Sequence, residues 1–214
     1  MTALRLIAVL AVTLAAGCSA EFKSDTIALA RAAVAPVPGS AAKVALPPER
    51  DRLTVRIGTA AGVAFVRQSV TRGSVIWEDT ARRQLITKGG ALVGTRGFGR
   101  DLTHVRQSRD DPVAYPRPLR YWPGETTRAY GIARRDLPAE TVVLRCVFDV
   151  ERGAPSDVAR GSSDLVEITE TCRSAGGSVD NRFFVDPASG HILRSVQWAG
   201  PGVGAITLEF PFSD

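Results

Sequence analysis

Apolar and polar residues alternate with a period of two over most of the chain from residue 53 onward. The alternation starts at Leu53-Thr-Val55-Arg-Ile57 and continues in short runs over 63–70, 74–78, 84–87 and 91–94. Successive side chains of a strand point to opposite faces, so this pattern is typical of half-buried antiparallel strands. Turn-forming segments such as Asp186–Gly190 separate the runs. We therefore predict an all-β domain, an antiparallel meander with a barrel-like or sandwich-like fold.

The second half of the chain contains longer alternating runs whose apolar members should face the core. The predicted core faces are Val142, Leu144, Cys146, Phe148 and Val150; Val166, Ile168 and Cys172; Ile192, Val196 and Trp198, with Arg194 interrupting; and Ile206, Leu208, Phe210 and Phe212.

The N-terminus has the pattern of an export signal. Met1–Arg5 is short and basic, and Leu6–Ala16 is an apolar stretch of eleven residues. That stretch is shorter than the roughly 18 residues of a membrane-spanning helix, and its length is typical of a secretory signal peptide. We predict a lipoprotein signal peptide over residues 1–17.

The signal ends in Ala15-Ala16-Gly17-Cys18, followed by Ser19. This sequence is similar to a bacterial lipobox, with Ala15 in place of the commoner leucine, so Cys18 is the predicted lipidation site. The alternative is an ordinary cleavable signal with an incidental cysteine. Two or more acyl chains, palmitate among them, anchor a protein stably. Ser19, where retained lipoproteins carry Asp, indicates transfer to the outer membrane, with the protein facing the periplasm.

Residues 18–50 are predicted to connect this anchor to the β domain. Glu21–Val34 has a Ser24/Asp25 cap and an alanine-rich face, which indicates a short helix. The proline-rich segment 35–50 is a linker. The predicted domains are therefore a signal peptide (1–17), a lipidated N-terminus with helix and linker (18–50), and a single β domain (51–214).

Cys146 and Cys172 remain once Cys18 is assigned to the anchor. Both lie on the apolar phase of their strands, and an exported protein meets an oxidising compartment, so we predict a disulfide bond between them. A redox-active pair is the alternative, but its usual Cys-x-x-Cys spacing is absent.

Charge is distributed unevenly along the sequence. Residues 50–135 contain 17 basic and 7 acidic side chains, whereas residues 136–214 contain 6 and 12. A basic surface for an acidic polysaccharide or for lipid headgroups is one interpretation. We favour the other, in which the two halves pair and their charges face each other across the sheet. Nucleic acid is not an expected partner of an exported protein.

Motifs for catalysis and cofactor binding are scarce. His104 and His191 stand outside any metal-ligand spacing, and no Gly-x-Ser-x-Gly elbow is present. The adjacent acids Asp110 and Asp111 point to opposite faces if extended, which is a poor arrangement for a two-carboxylate glycosidase. We predict no cofactor, no metal and no catalytic residue. An enzyme whose acids meet only in the folded chain remains the alternative.

A proline-stiffened segment between residues 115 and 123 combines aromatic and basic side chains. Aromatic rings stack on sugar C–H faces, and arginine pairs with uronate carboxylates. Its candidate glycan contacts are Tyr115, Arg117, Arg120, Tyr121 and Trp122. We favour the alternative that Tyr121 and Trp122 plug the open end of the β-structure.

Two hairpin motifs resemble those of the YjbF/GfcB lipoproteins from group 4 capsule and exopolysaccharide loci. One runs from the Trp77 strand through Gln84-Leu-Ile-Thr-Lys-Gly-Gly-Ala-Leu-Val-Gly-Thr-Arg-Gly97, and the other is Asn181-Arg-Phe-Phe-Val-Asp followed by Gly190-His-Ile-Leu-Arg-Ser-Val-Gln197. The similarity covers roughly residues 44–212 and the lipobox. It implies an all-β, barrel-like outer-membrane lipoprotein, acting as a non-enzymatic accessory in exopolysaccharide or capsule secretion. Its expected partners are the outer membrane and either export proteins or an acidic polysaccharide, and the family carries no catalytic residues to transfer.

Overall fold

A computed structural model describes residues 51–134, 137–151 and 165–211, all of which belong to the compact unit Leu46–Asp214. The signal peptide, the lipobox and the predicted helix over Glu21–Val34 lie outside the described residues. Among the described residues, no helix has the length and apolar character needed to cross a membrane.

The described residues form twelve antiparallel strands. Their bounds are β1 Arg52–Ile57, β2 Val63–Thr71, β3 Ser74–Glu78, β4 Gln84–Lys88, β5 Ala91–Arg96, β6 Leu102–Gln107, β7 Glu125–Arg134, β8 Leu137–Glu151, β9 Val166–Ser174, β10 Gly177–Val185, β11 Ile192–Trp198 and β12 Ala205–Glu209. A single 3-10 turn, Leu119–Tyr121, lies between β6 and β7. The predicted all-β antiparallel fold is confirmed, and β1 to β5 lie where the alternation indicates them, whereas the alternation does not predict β6 and β7.

The twelve strands form one sheet that is a nearly closed barrel. Its order is β5-β4-β3-β2-β1-β12-β11-β10-β9-β8-β7-β6, so neighbours along the chain are neighbours in the sheet and β1 pairs with β12. The two edge strands β5 and β6 approach without a ladder of backbone hydrogen bonds. The Leu102 amide instead donates to the Thr95 hydroxyl at 2.9 Å.

The core face predicted for β11, with Val196 and Trp198 pointing inward, is wrong beyond Ile192. Val185 pairs with Ile192 and Phe184 with Arg194, so Leu193 is an extra residue in a β-bulge. A bulge shifts the side-chain phase by one residue. Beyond it the buried residues are Ser195 and Gln197, whereas Val196 and Trp198 are only half-buried.

The segment 108–124, here called the cap loop, covers one end of the barrel. Its Val113 and Ala114 are buried in a cluster with Phe183 and Ile192, and Leu119 and Trp122 pack against that cluster. We call this end of the barrel the cap end and the opposite one the far end.

Two glycines allow the neighbouring turns to approach the cap loop closely. Gly89 has φ +55°, and a Cβ there would lie 2.6 Å from the Val113 carbonyl oxygen. Gly190 has φ +79°, and a Cβ there would lie 2.0 Å from the Arg117 carbonyl oxygen. Any larger residue would both strain the backbone and displace the loop. The cap loop is therefore held between the β4–β5 and β10–β11 turns.

Candidate functional site

A charged cluster lies inside the barrel beneath the cap loop. Arg128 is on the inward face of β7, Glu170 is on the inward face of β9, and Asp111 reaches in from the cap loop. All three side chains are at most 2% exposed.

Arg128 binds both carboxylates. Its Nε and Nη2 donate to the two oxygens of Asp111 at 2.5 and 2.9 Å, and its Nη1 donates to Glu170 Oε2 at 2.7 Å. Asn181 donates its side-chain N–H to the same Glu170 oxygen at 2.8 Å and accepts the Trp198 amide at 2.8 Å. The cluster thereby connects the cap loop to strands β7, β9, β10 and β11.

The electrostatics of the cluster are unbalanced, with two carboxylates for one guanidinium. Burial alone would lower the pKa of Arg128, but the charges led by Glu170 outweigh it, so the pKa is raised and the side chain stays cationic. Burial raises the pKa of Glu170, and Arg128 and Asn181 offset this only in part. Glu170 Oε1 is buried without a hydrogen-bond partner among the described residues. Because burial raises the pKa of its carboxyl, Glu170 is favoured to take up a proton.

The predicted disulfide between Cys146 and Cys172 is confirmed and lies beside Glu170. The two cysteines are directly opposite in the β8–β9 ladder, with Cα atoms 3.9 Å apart, and both are fully buried. The sulfur atoms and a Glu170 oxygen lie within 4.8 Å of one another. Because the sulfurs are bonded to each other, this trio offers a metal ion only one free ligand.

The candidate glycan contacts from the sequence all lie in the cap loop and differ in exposure. Tyr115 and Tyr121 are 38% and 60% exposed, Arg120 is exposed and Arg117 is half-buried. Trp122 packs edge-on against Phe148 at 5.3 Å, and its indole N–H donates to the Arg117 carbonyl. The prediction that these aromatic side chains close the end of the β-structure therefore fits Trp122, which is packed against the core, but not Tyr121, which is exposed.

Sequence reasoning missed Arg128, Glu170 and Asn181. A signal was present, because Glu170 lies between Ile168 and Cys172 on a predicted core face, and Arg128 shares the phase of Tyr130. A charged residue on an apolar phase requires a partner. The chain alone does not identify that partner, since Arg128 and Glu170 are 42 residues apart.

We expect Glu170→Gln to flatten the pH dependence of stability. Folding raises the pKa of Glu170. The stability that its protonated form contributes is therefore fully present below the unfolded pKa of about 4.3 and is lost as pH rises through the folded pKa. A tenfold difference in proton affinity between the folded and unfolded chains corresponds to about 1.4 kcal/mol of stability. Urea unfolding between about pH 4 and pH 8 should show a decline for the natural chain that Glu170→Gln lacks.

Glu167→Gln on the same strand is the control, because Glu167 lies outside the buried cluster and pairs with the exposed Arg182. It should retain the decline seen in the natural chain. Identical pH profiles for the natural chain and Glu170→Gln would contradict the proton assignment.

Comparisons with known proteins identify the family and agree with the fold. The family model of the group 4 capsule polysaccharide lipoproteins GfcB and YjbF matches residues 16–210. A crystal structure of the hypothetical lipoprotein YmcC from Escherichia coli K12 has the same fold, with a TM-score of 0.61 and 20% identity over 76% of this chain and 84% of that one. No curated protein sequence matches the chain. With nearly the whole chain matched, this protein belongs to the YjbF/GfcB family of group 4 capsule polysaccharide lipoproteins.

Proposed function

We propose that this protein is a lipid-anchored, non-catalytic accessory of capsule or exopolysaccharide secretion on the periplasmic side of the outer membrane. The observation that carries the proposal is the match to the capsule lipoprotein family over residues 16–210. The Ala15-Ala16-Gly17-Cys18 lipobox supports the anchor, and Ser19 supports the outer membrane as its destination.

The buried cluster is unsuited to serve as the pair of catalytic acids that the enzyme alternative needs. Asp111 and Glu170 are two carboxylates that meet only in the folded chain, as the enzyme alternative requires. However, both are fully buried and share Arg128. A glycosidase needs its two acids on either side of a substrate bond, with water admitted. Here a guanidinium occupies the space between them, so the cluster ties the cap loop to the barrel.

Gene deletion with complementation tests this function. We expect deletion to reduce surface or secreted polysaccharide without altering its linkages. The natural gene should restore secretion, whereas Cys18→Ser should not, because the effective concentration at the membrane is lost. Labelling with a palmitate analogue should mark the natural chain and not the variant.

Substitutions of the exposed acids Asp110 and Glu125 distinguish a non-catalytic role from catalysis. Asp110→Asn and Glu125→Gln should each restore secretion fully. If either abolishes secretion while protein level and labelling stay normal, the protein is a polysaccharide-modifying enzyme. Asp111 is unsuitable for this comparison, since its replacement would disturb the buried cluster.

A further inference from the structure

The cap end of the barrel is also the end at which the strand that follows the N-terminal tether begins. Every strand is antiparallel to its neighbours around the sheet, so all odd-numbered strands run in one direction. Because β7 begins directly after the cap loop, the odd-numbered strand β1 also begins at the cap end. Strand β1, which the segment carrying Cys18 precedes in the chain, therefore begins at the same end of the barrel as the cap loop.

The loops of the cap end concentrate cations that lack acidic partners. Five cations of this end make no ion pair within the described residues. They are Arg72 in the β2–β3 turn, Lys88 at the end of β4, and Arg109, Arg117 and Arg120 in the cap loop. The described acids of these loops are Asp111, Asp186 and Asp110, of which Asp110 is exposed beside Arg109. Asp111 is buried on Arg128, and hydrogen bonds led by the Ser189 hydroxyl occupy Asp186 and lower its pKa.

At the far end, several cations form ion pairs with nearby acids. In the β3–β4 turn Arg82 binds Glu78 and Arg83 binds Asp79, and Arg134 binds Glu140 near the β7–β8 turn. Arg96, Arg100 and Arg173 are exposed and make no ion pair within the described residues. Among the described residues, the excess of unpaired positive charge therefore lies at the cap end, and Arg96 and Arg100 provide a matched control.

Amphipathic side chains accompany the cations of the cap end. Tyr121 is 60% exposed with the Arg120 guanidinium 4.6 Å from its ring, and Tyr115 is 38% exposed with the Lys88 ammonium 4.1 Å from its ring. Tyrosine rings and basic side chains are the groups that settle at a lipid headgroup layer, with the ring toward the acyl chains and the charge among phosphates.

We propose that the cap end docks on an anionic phospholipid surface, with Arg109, Arg120 and Tyr121 among the headgroups. Cys18 precedes Asp51 by 33 residues, a length that reaches roughly 110 Å when extended. The tether therefore permits any orientation, and the surface of the domain selects one. Docking through the cap end brings its exposed unpaired cations to the lipid phosphates. The inference builds on the lipid anchor of the proposed function and specifies which face meets the membrane.

The test uses the mature chain from residue 18 with Cys18→Ser, so that neither lipidation nor secretion contributes. It should sediment with phosphatidylcholine vesicles containing phosphatidylglycerol, not with phosphatidylcholine alone, and added salt should release it. Arg109→Gln combined with Arg120→Gln should weaken binding about 25-fold, at about five-fold for each cation. Arg96→Gln combined with Arg100→Gln removes equal charge from the far end and should leave binding unchanged. Tyr121→Ser should also weaken binding.

Equal loss in the two double variants, or equal binding to both kinds of vesicle, would overturn the docking proposal. A parallel titration with polygalacturonate covers the predicted glycan contacts. Saturable binding of that polymer through Arg109 and Arg120, without vesicle binding, would assign the cap end to an acidic glycan instead. A deletion strain with normal secretion would refute the proposed function and leave the vesicle result standing.

Discussion

Replacing Arg128 with methionine is expected to lower the free energy of unfolding by about 3–5 kcal/mol. The substitution leaves the carboxylates of Asp111 and Glu170 buried, close together and without a cation. Removing one partner of a buried ion pair leaves a charge that neither water nor protein stabilises. Urea unfolding at neutral pH, followed by far-ultraviolet circular dichroism, measures the loss.

Arg145→Met is the matched control for this prediction. Arg145 pairs with Glu125 across β7 and β8, but the two side chains are 71% and 55% exposed. Exposed pairs contribute about 0–1 kcal/mol, so this variant should resemble the natural chain. Adding Asp111→Asn and Glu170→Gln to Arg128→Met should recover part of the loss, because the unpaired charges are then removed. Equal effects of Arg128→Met and Arg145→Met would contradict the cluster's structural role.

Removing the disulfide is the second change with a large expected effect. Replacing both Cys146 and Cys172 with alanine should cost about 3 kcal/mol, because the bridge closes a 26-residue separation and restricts the unfolded chain. The measurement is urea unfolding of the double variant beside the natural chain.

The thiol content provides an independent check on the bridge. Natural mature protein from the periplasm, denatured without reductant, should show neither Cys146 nor Cys172 as a free thiol. Two reactive thiols, or a double variant as stable as the natural chain, would contradict a closed structural disulfide.

The difference in charge between the two halves of the sequence has two explanations, and each applies to different residues. Some cations of the first half do pair with acids of the second, as Arg56 does with Glu209 and Arg128 with Glu170. Others, including Arg109 and Arg120, are left without an ion pair in the described part of the chain. Cross-sheet pairing therefore accounts for strand cations such as Arg56, and we propose a lipid contact for the unpaired loop cations of the cap end.

The amino-acid sequence by itself determined the fold class, most strand positions and the disulfide pair. Alternation at period two is a local property, because each strand buries one face whatever its neighbours are. Cys146 and Cys172 could be paired since one exported pair allows one connectivity and both lie on apolar phases. The motifs around Trp77 and Asn181 likewise sufficed to identify the family, because both hairpins are local segments.

Only the tertiary structure decided the inward face of β11, the buried cluster and the orientation of the ends. The bulge at Leu193 depends on pairing with β10, so the local pattern predicted Val196 inside where Gln197 lies. Gln197 is satisfied there because its side chain accepts the Leu92 amide at 2.9 Å and donates to the Gly90 carbonyl at 2.7 Å, contacts more than a hundred residues distant in sequence. A buried polar group is stable only with its partner in place. Barrel closure creates these partnerships, so local periodicity shows only that a partner is needed, while the strand order determines which residue supplies it.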